Sequence, residues 1–408
     1  MTRRRIVRVL TRITSLACVL VLALAACTGN GDDVAVEDPE LEGDAGAGAE
    51  DDLPDPEEAE GAATETDAET DAATEPETDV AQGDAGGETL QAVQDRGSVV
   101  CGVNDAVPGF GFTDEGGEFS GFDIEFCRVI AAAVLGDAEA VEFRPLTAEQ
   151  RFTALQSGEI DVLVRNTTWT SSRDGGEGAQ FATTTFYDGQ GMMVRSDSEF
   201  EAIEDMQNTA ICVLSGTTTE LNLTSRFAAG GIEYEPVPFE DNETLQQAFE
   251  QERCDGWTSD KSQLAGVRSA FPEGPEALRI LDETFSKEPL GPAVREGEAD
   301  WFDAVNWAVI ATIEAEEFEI DSTNVQDNLS SDNPDILRFL GQPGAEDDAV
   351  FDAGLGLDAE FAVNVIEQVG NYAEIYDRNV GPDTGLGLER GVNALWTEGG
   401  LMYAPPYR

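Results

Sequence analysis

Two stretches of this 408-residue chain, Ala154-Leu-Gln-Ser-Gly-Glu-Ile-Asp161 and Ala248-Phe-Glu-Gln-Glu-Arg-Cys-Asp255, align without a gap. Each closes a helical pattern and opens a strand. Five residues beyond each aspartate stands a polar residue at an expected strand end, Asn166 in one copy and Asp260 in the other. The repeat points to two similar α/β lobes, and the surrounding pattern agrees. Ser98 to Val103 reads as a buried strand. A Pro/Gly/Phe loop follows, then an amphipathic helix whose Ile124, Cys127, Ala131 and Val134 share one face and whose stop is Gly136. Thr147-x-x-Gln150 is a capping box before a second helix, Ser157-Gly158 ends that helix, and Ile160 to Val164 is the next strand. Lower down, Thr209 to Leu214 is a strand, Ser215 to Thr219 a turn, Glu220 onward a helix, and a further helix lies near Glu243 to Gln251. Strands alternating with helices at this spacing imply a mostly parallel sheet in each lobe. In open α/β sheets the ligand crevice lies outside the carboxyl ends of the strands, so facing lobes would set Asn166 and Asp260 across one cleft.

Charge and composition narrow what such a cleft could serve. Lys+Arg 23 against Asp+Glu 83 gives a formal net charge of −60, a sign that repels nucleic-acid backbones. The chain has no histidine, which removes Ser-His-Asp triads, Cys–His pairs and His-containing zinc sites. Lys261 and Lys287 are the only lysines, and so acidic and lysine-poor a surface suits a salty medium. A calcium-binding or surface-scaffold role has no Asp-x-Asp-x-Asp-Gly loop behind it. Neither a metal nor a cofactor is expected.

The first residues read as a targeting segment. Arg3, Arg4, Arg5, Arg8 and Arg12 precede an apolar run from Ile13 to Ala26, the order of a secretory signal. The run is shorter than the roughly 20 apolar residues that span a bilayer. Leu24-Ala25-Ala26-Cys27 looks like the bacterial lipoprotein cleavage box, in which the cysteine thiol takes up diacylglycerol; an ordinary secretory signal ending near a cysteine is the other reading. From Cys27 to Glu88, 62 residues hold 23 Asp/Glu and no Lys or Arg, with almost no large apolar group to offset the entropy of ordering. This stretch is expected to be an extended acidic tether. Four cysteines remain in the folded body, Cys101, Cys127, Cys212 and Cys254. Four allow three connectivities, and their order along the chain favours Cys101–Cys127 and Cys212–Cys254.

Three motifs suggest what the cleft holds. Asn166-Thr167-Thr168-Trp169-Thr170-Ser171-Ser172-Arg173 is hydroxyl-rich and ends in a guanidinium, which can hold a carboxylate by two parallel charge-assisted hydrogen bonds. A solvated surface arginine is the alternative. Ser215-Gly216-Thr217-Thr218-Thr219-Glu220 is a glycine turn entering a helix, whose free N–H groups and positive dipole end suit a carboxylate. It lacks the lysine and paired glycines of a phosphate loop, and a helix N-cap without ligand would look the same. Thr258-Ser259-Asp260 places an aspartate where it could satisfy an ammonium group. One cation, one anion and several hydroxyls together match an α-amino acid.

At this point the motifs resemble a known family. Phe122-Asp123-Ile-Glu-Phe-Cys127, Arg151-Phe-Thr-Ala-Leu-Gln-Ser-Gly-Glu-Ile-Asp161, Asn166-Thr-Thr-Trp169, Ser215-Gly-Thr-Thr-Thr-Glu220 and Lys287-Glu-Pro-Leu-Gly-Pro292 look like the general L-amino-acid-binding proteins of polar amino-acid ABC uptake systems. Gly370-Asn371-Tyr372, Arg378-Asn-Val-Gly381 and Ala394-Leu-Trp396 extend the match to nearly all of residues 89 to 408. The resemblance implies a two-lobed type II periplasmic-binding-protein fold with two chain crossings, near Gly191 and Leu290. The expected division is signal 1–26, linker 27–88, first lobe 89–191, second lobe 192–290, and 291–408 as return to the first lobe plus a C-terminal extension. By carry-over, Arg173 would bind the α-carboxylate with Thr168 and Thr218. Gly216 would leave room for the ligand, Asp260 would take the α-ammonium, and Phe110 or else Val107 would supply an aromatic or apolar wall. Asn166 and Thr217 complete the candidate ligand-binding set. The implied function is capture and not catalysis: a monomer bound to the cell membrane through Cys27 that delivers L-amino acids to an ABC permease driven by its ATPase. Exported dehydratases and sensory receptors that share the fold are the rival reading.

Overall fold

The computed structural model describes residues 88–344 and 349–408. The signal segment, Cys27 and the acidic tether up to residue 87 lie outside the described residues. Two five-stranded sheets organise the rest. The first runs in the order Val141–Pro145, Val99–Val103, Val162–Leu163, Ala293–Arg295, Ala179–Phe181, and the second in the order Tyr234–Phe239, Thr209–Leu214, Gly256–Asp260, Gln190–Arg195, Leu278–Ile280. In each sheet the first three strands are parallel and the fourth is antiparallel to the third. The two sheets thus share one topology, strand for strand.

The aligned aspartates of the repeat do the same work in both copies. The Asp161 carboxylate accepts from the Val100 N–H at 2.7 Å, and the Asp255 carboxylate accepts from the Ala210 N–H at 2.8 Å. Their own N–H groups donate back to the Val100 and Ala210 carbonyls at 2.9 and 2.8 Å. A backbone amide near the start of the central strand is thereby paired. Trp301 Nε1 adds a bond to the Asp161 carbonyl. Beyond the strand, Asn166 turns aside with φ 32°. Of the strand expected over Ile160 to Val164, the ladder takes in Val162–Leu163, and the flanking Asp161 and Val164 N–H groups each also bond to the central strand at 2.9 Å.

Two short segments join the sheets. Phe186–Asp188 and Glu288–Leu290 run antiparallel, with Glu288 opposite Asp188 and Leu290 opposite Phe186. The first leads into Gln190–Arg195 of the second sheet, and the second leads into Ala293–Arg295 of the first. Helix Phe122–Leu135, stopped by Gly136 in the left-handed conformation, packs with Ala299–Glu317 and the C-terminal helices into one apolar core. Trp301, Tyr372, Phe122 and Phe126 are wholly enclosed there, each worth roughly 1.5–3 kcal/mol of burial. The second sheet is covered on both faces, by Phe249, Leu245 and Leu264 on one and by Leu223, Phe227 and Ile203 on the other. Disulfides Cys101–Cys127 and Cys212–Cys254 each tie a central strand to its own lobe.

Local signals account for the helix ends. Thr147 and Gln150 exchange side-chain-to-backbone bonds at 3.2 and 3.3 Å just ahead of helix Arg151–Ser157. The helix expected from Glu220 starts earlier, at Thr218, because the Thr217 hydroxyl caps the Glu220 N–H at 3.1 Å.

Candidate functional site

The carboxyl ends of the parallel strands face one cleft. Asn104 follows strand Val99–Val103, Asn166 follows Val162–Leu163, Asn242 opens the helix after Tyr234–Phe239, and Gln263 lies just past Gly256–Asp260. Their side-chain amides close a ring across the lobes. Asn104 donates to Asn166 at 3.2 Å, Asn166 to Gln263 at 3.3 Å, Gln263 to Asn242 at 2.8 Å and Asn242 to Asn104 at 3.4 Å. Two members come from each sheet. Asn166 is held in its left-handed conformation by its N–H bond to Asp123 Oδ2 at 2.6 Å. Burial raises the Asp123 carboxyl to about 6, against the pull of that bond and of Arg165.

A second clasp sits toward the crossings. Glu288, buried at 1% exposure, accepts from the Thr168 hydroxyl at 2.7 Å, the Thr218 hydroxyl at 2.8 Å and Asn222 Nδ2 at 2.8 Å. Thr168 belongs to the first lobe, Thr218 and Asn222 to the second. The threonine oxygens lie 3.3 Å apart. With their protons given to Glu288, they remain as acceptors.

Between the clasps lies a cleft lined by Arg151, Arg165, Arg173 and Asp260 among others. All three guanidiniums are buried. Among the described residues none forms an ion pair. Arg173 donates to the Thr168 carbonyl at 2.8 Å, and Arg165 Nε to the Leu146 carbonyl at 2.8 Å. Arg151 reaches only the Gly216 carbonyl, at 3.3 Å, and its Nε has no partner. Arg151 and Arg173 both lie over the Phe152 ring, at 5.1 and 5.3 Å. Burial pushes the Arg151 guanidinium well below its ordinary range, and the neighbouring Arg173 and Arg165 push it further. Burial also lowers Arg165 to about 10 and lowers Arg173. Opposite them, Asp260 Oδ1 is buried and unpartnered. Burial, with Asp188 and Glu288 nearby, raises the Asp260 carboxyl well above the usual range.

Of the residues singled out in the sequence, Asn166, Thr168, Arg173, Thr217, Thr218 and Asp260 line this cleft. Gly216 borders it with φ 71°, and the neighbour its added Cβ would meet is Glu149 Cγ at 3.0 Å. Phe110 requires a correction. It is fully enclosed in the first lobe, edge-on to Phe186 at 5.2 Å, and supplies no wall; Val107 is buried in the same core. Thr168 and Thr218, expected to hold a ligand carboxylate, hold the chain's own Glu288. Sequence reasoning passed over Asn104, Arg151, Arg165, Gln263 and Glu288. Arg151 opens the aligned helix, and nothing in its motif marks it as a residue of the cleft. Arg165 directly follows the apolar strand run and precedes Asn166, a place where an arginine must be buried or turn into the crevice.

Comparison with known proteins bears on the family and the fold. The family described as bacterial extracellular solute-binding proteins, family 3, matches residues 99–320. A general L-amino acid-binding periplasmic protein of Rhizobium johnstonii is 49% identical over 78% of this chain and 93% of its own length. A glutamate/glutamine/aspartate/asparagine-binding protein of Rhodobacter capsulatus is 45% identical over 80% of this chain and 95% of its own. Among solved structures, an ABC transporter periplasmic binding protein from Brucella ovis with glutathione bound superposes with a TM-score of 0.75. It is 47% identical and covers 78% of this chain and 99% of its own.

Proposed function

The chain belongs to family 3 of the bacterial extracellular solute-binding proteins and has their two-lobed fold, and from that premise we propose that it captures L-amino acids outside the cytoplasm and delivers them to an ABC permease. The observation that carries the reading is the charge arrangement of the cleft. Buried guanidiniums without ion-pair partners face an unpartnered aspartate oxygen, and a zwitterion bearing a carboxylate and an ammonium on one carbon answers both. Arg173 takes the carboxylate and Asp260 the ammonium, with Thr168 and Thr218 alongside. The names of the relatives, binding proteins for amino acids, support the same substrate class. Closing the lobes around the ligand excludes water and strengthens each polar contact, and the closed form is what a permease recognises.

The protein works as a monomer tethered through Cys27 by its acidic linker, a reading that rests on the Leu24-Ala25-Ala26-Cys27 box. Among the described residues no helix is long and apolar enough to cross a membrane.

Titration calorimetry across the twenty common amino acids tests the proposal. Saturable heat with at least one of them is expected, and no heat with any overturns the reading. Arg173→Ala is expected to abolish that heat while the unfolding midpoint without ligand stays nearly unchanged; retained affinity removes Arg173 from the site.

A further inference from the structure

The last turn of helix Ala299–Glu317 carries Glu314, Glu316 and Glu317 and no basic residue. The helix carbonyls already make that end negative, where cations are favoured over anions. Two of the three acids are answered locally. Arg390 pairs with Glu316 at 3.1 Å, and the Ala404 N–H donates to Glu317 Oε1 at 3.0 Å. Glu314 is 8% exposed, and among the described residues its carboxylate accepts no hydrogen bond and forms no ion pair. It lines a surface pocket together with Glu317 and with Asp335, which is itself held by Arg338 at 2.7 Å. Burial raises the Glu314 carboxyl to about 7, and Glu317 and Asp335 add to the rise. A buried carboxylate without a donor is costly unless a ligand supplies one.

The same pocket is aromatic. Trp396 and Tyr403 line it, about half exposed, with ring centroids 5.6 Å apart and edge to face. Exposed rings beside acids present the electron-rich faces that attract a cation. Arg408 also lines the pocket, but it is exposed and among the described residues forms no ion pair with these acids. No group of three acidic side chains among the described residues is placed to hold a metal ion, so the arrangement suits an organic cation. Most of the pocket comes from residues after 320, where the family match ends, and none of its residues lines the cleft between the lobes. We infer that this pocket binds a guanidinium group: Glu314 accepts two of its N–H donors, the Trp396 and Tyr403 rings cover its flat face, and Glu317 with Asp335 adds negative potential. A guanidinium is favoured over an ammonium because its planar fork matches one carboxylate at two points and stacks on aromatic rings. The inference is independent of the amino-acid reading.

The test is calorimetry at pH 8, where the Glu314 carboxyl is ionised, with propylguanidinium and with propylurea, its neutral isostere. Propylguanidinium is expected to saturate and to bind at least tenfold tighter than propylurea, the size of one charge-assisted contact at a buried acid. Glu314→Gln is expected to weaken it about tenfold or more, and Trp396→Ala, a change at an exposed ring, about threefold. Unfolding midpoints show whether both variants are folded. A blocked Gly-Arg-Gly peptide presents the same group on a backbone; tighter binding of the peptide identifies a partner's arginine as the source, tighter binding of propylguanidinium a free compound, and either supports the site. Saturation by neither, propylurea binding as tightly as propylguanidinium, or wild-type affinity in the folded variants overturns the inference.

Discussion

Asp260 carries the sharpest charge problem in the cleft, a buried carboxyl oxygen without a partner and two more acids, Asp188 and Glu288, close by. Its carboxyl is held well above the usual range, so without ligand it keeps its proton to higher pH than an exposed aspartate. An incoming ammonium favours the ionised form and lowers that value. On the proposed role of Asp260, binding is expected to release a proton below the ligand-free pKa, with affinity falling as pH is lowered through it. Calorimetry in buffers of different ionisation enthalpy is expected to detect the release. Asp260→Asn is expected to remove it and to weaken binding by about ten- to a hundredfold. A wild-type enthalpy independent of the buffer would take Asp260 away from the ammonium. Asp260 could be found in the sequence because it ends a strand pattern and repeats the position of Asn166. Glu288 could not, since nothing in Lys287-Glu-Pro-Leu-Gly says that its partners come from both lobes.

At the scale of elements, the ring of four amides is built from the carboxyl ends of parallel strands in two sheets. Each member alone is an unremarkable Asn or Gln at a helix start or strand end. Joined, they tie one lobe to the other, so the ring is expected to slow the escape of bound ligand. Asn242→Ala removes two of its bonds while leaving the Asp241 cap on helix Asn242–Glu250 in place. Stopped-flow displacement is expected to show the off-rate rising about tenfold with a much smaller change in on-rate. An unchanged off-rate would mean that the ring contributes nothing to retention. The strand–helix order, the stops at Gly136 and Gly158 and both disulfide pairings were legible from residue type and spacing. The two-residue length of Val162–Leu163 was not. Nor was Trp301, far along the chain, legible as the donor to the Asp161 carbonyl.

The whole molecule holds several acids whose burial outweighs their hydrogen bonds. Asp123 and Asp188 are raised to about 6 and Glu314 to about 7, desolvation being the first cause in each. A carboxyl that binds its proton more tightly folded than unfolded stabilises the fold at low pH, and that contribution is lost as pH rises through the folded value. The unfolding midpoint of ligand-free protein is therefore expected to rise by several degrees between pH 7.5 and pH 5. Added salt at pH 7.5 is expected to raise it as well, because the net charge of −60 is self-repelling. Calorimetric melts check both, and a midpoint that falls on mild acidification would contradict the burial argument. By itself the sequence determined the duplicated α/β units, the polar residues at the strand ends that line the cleft, and the presence among them of one cation and one anion. These follow from local periodicity, turn chemistry and charge, all readable over a few residues. Only the tertiary structure decided that Phe110 belongs to the core, that Glu288 holds the threonines of both lobes, and that Arg151 joins Arg165 and Arg173 at one cleft. Those facts depend on which strand ends the packed sheets bring together, and hydrogen bonds and desolvation act over a few ångströms of space regardless of separation along the chain.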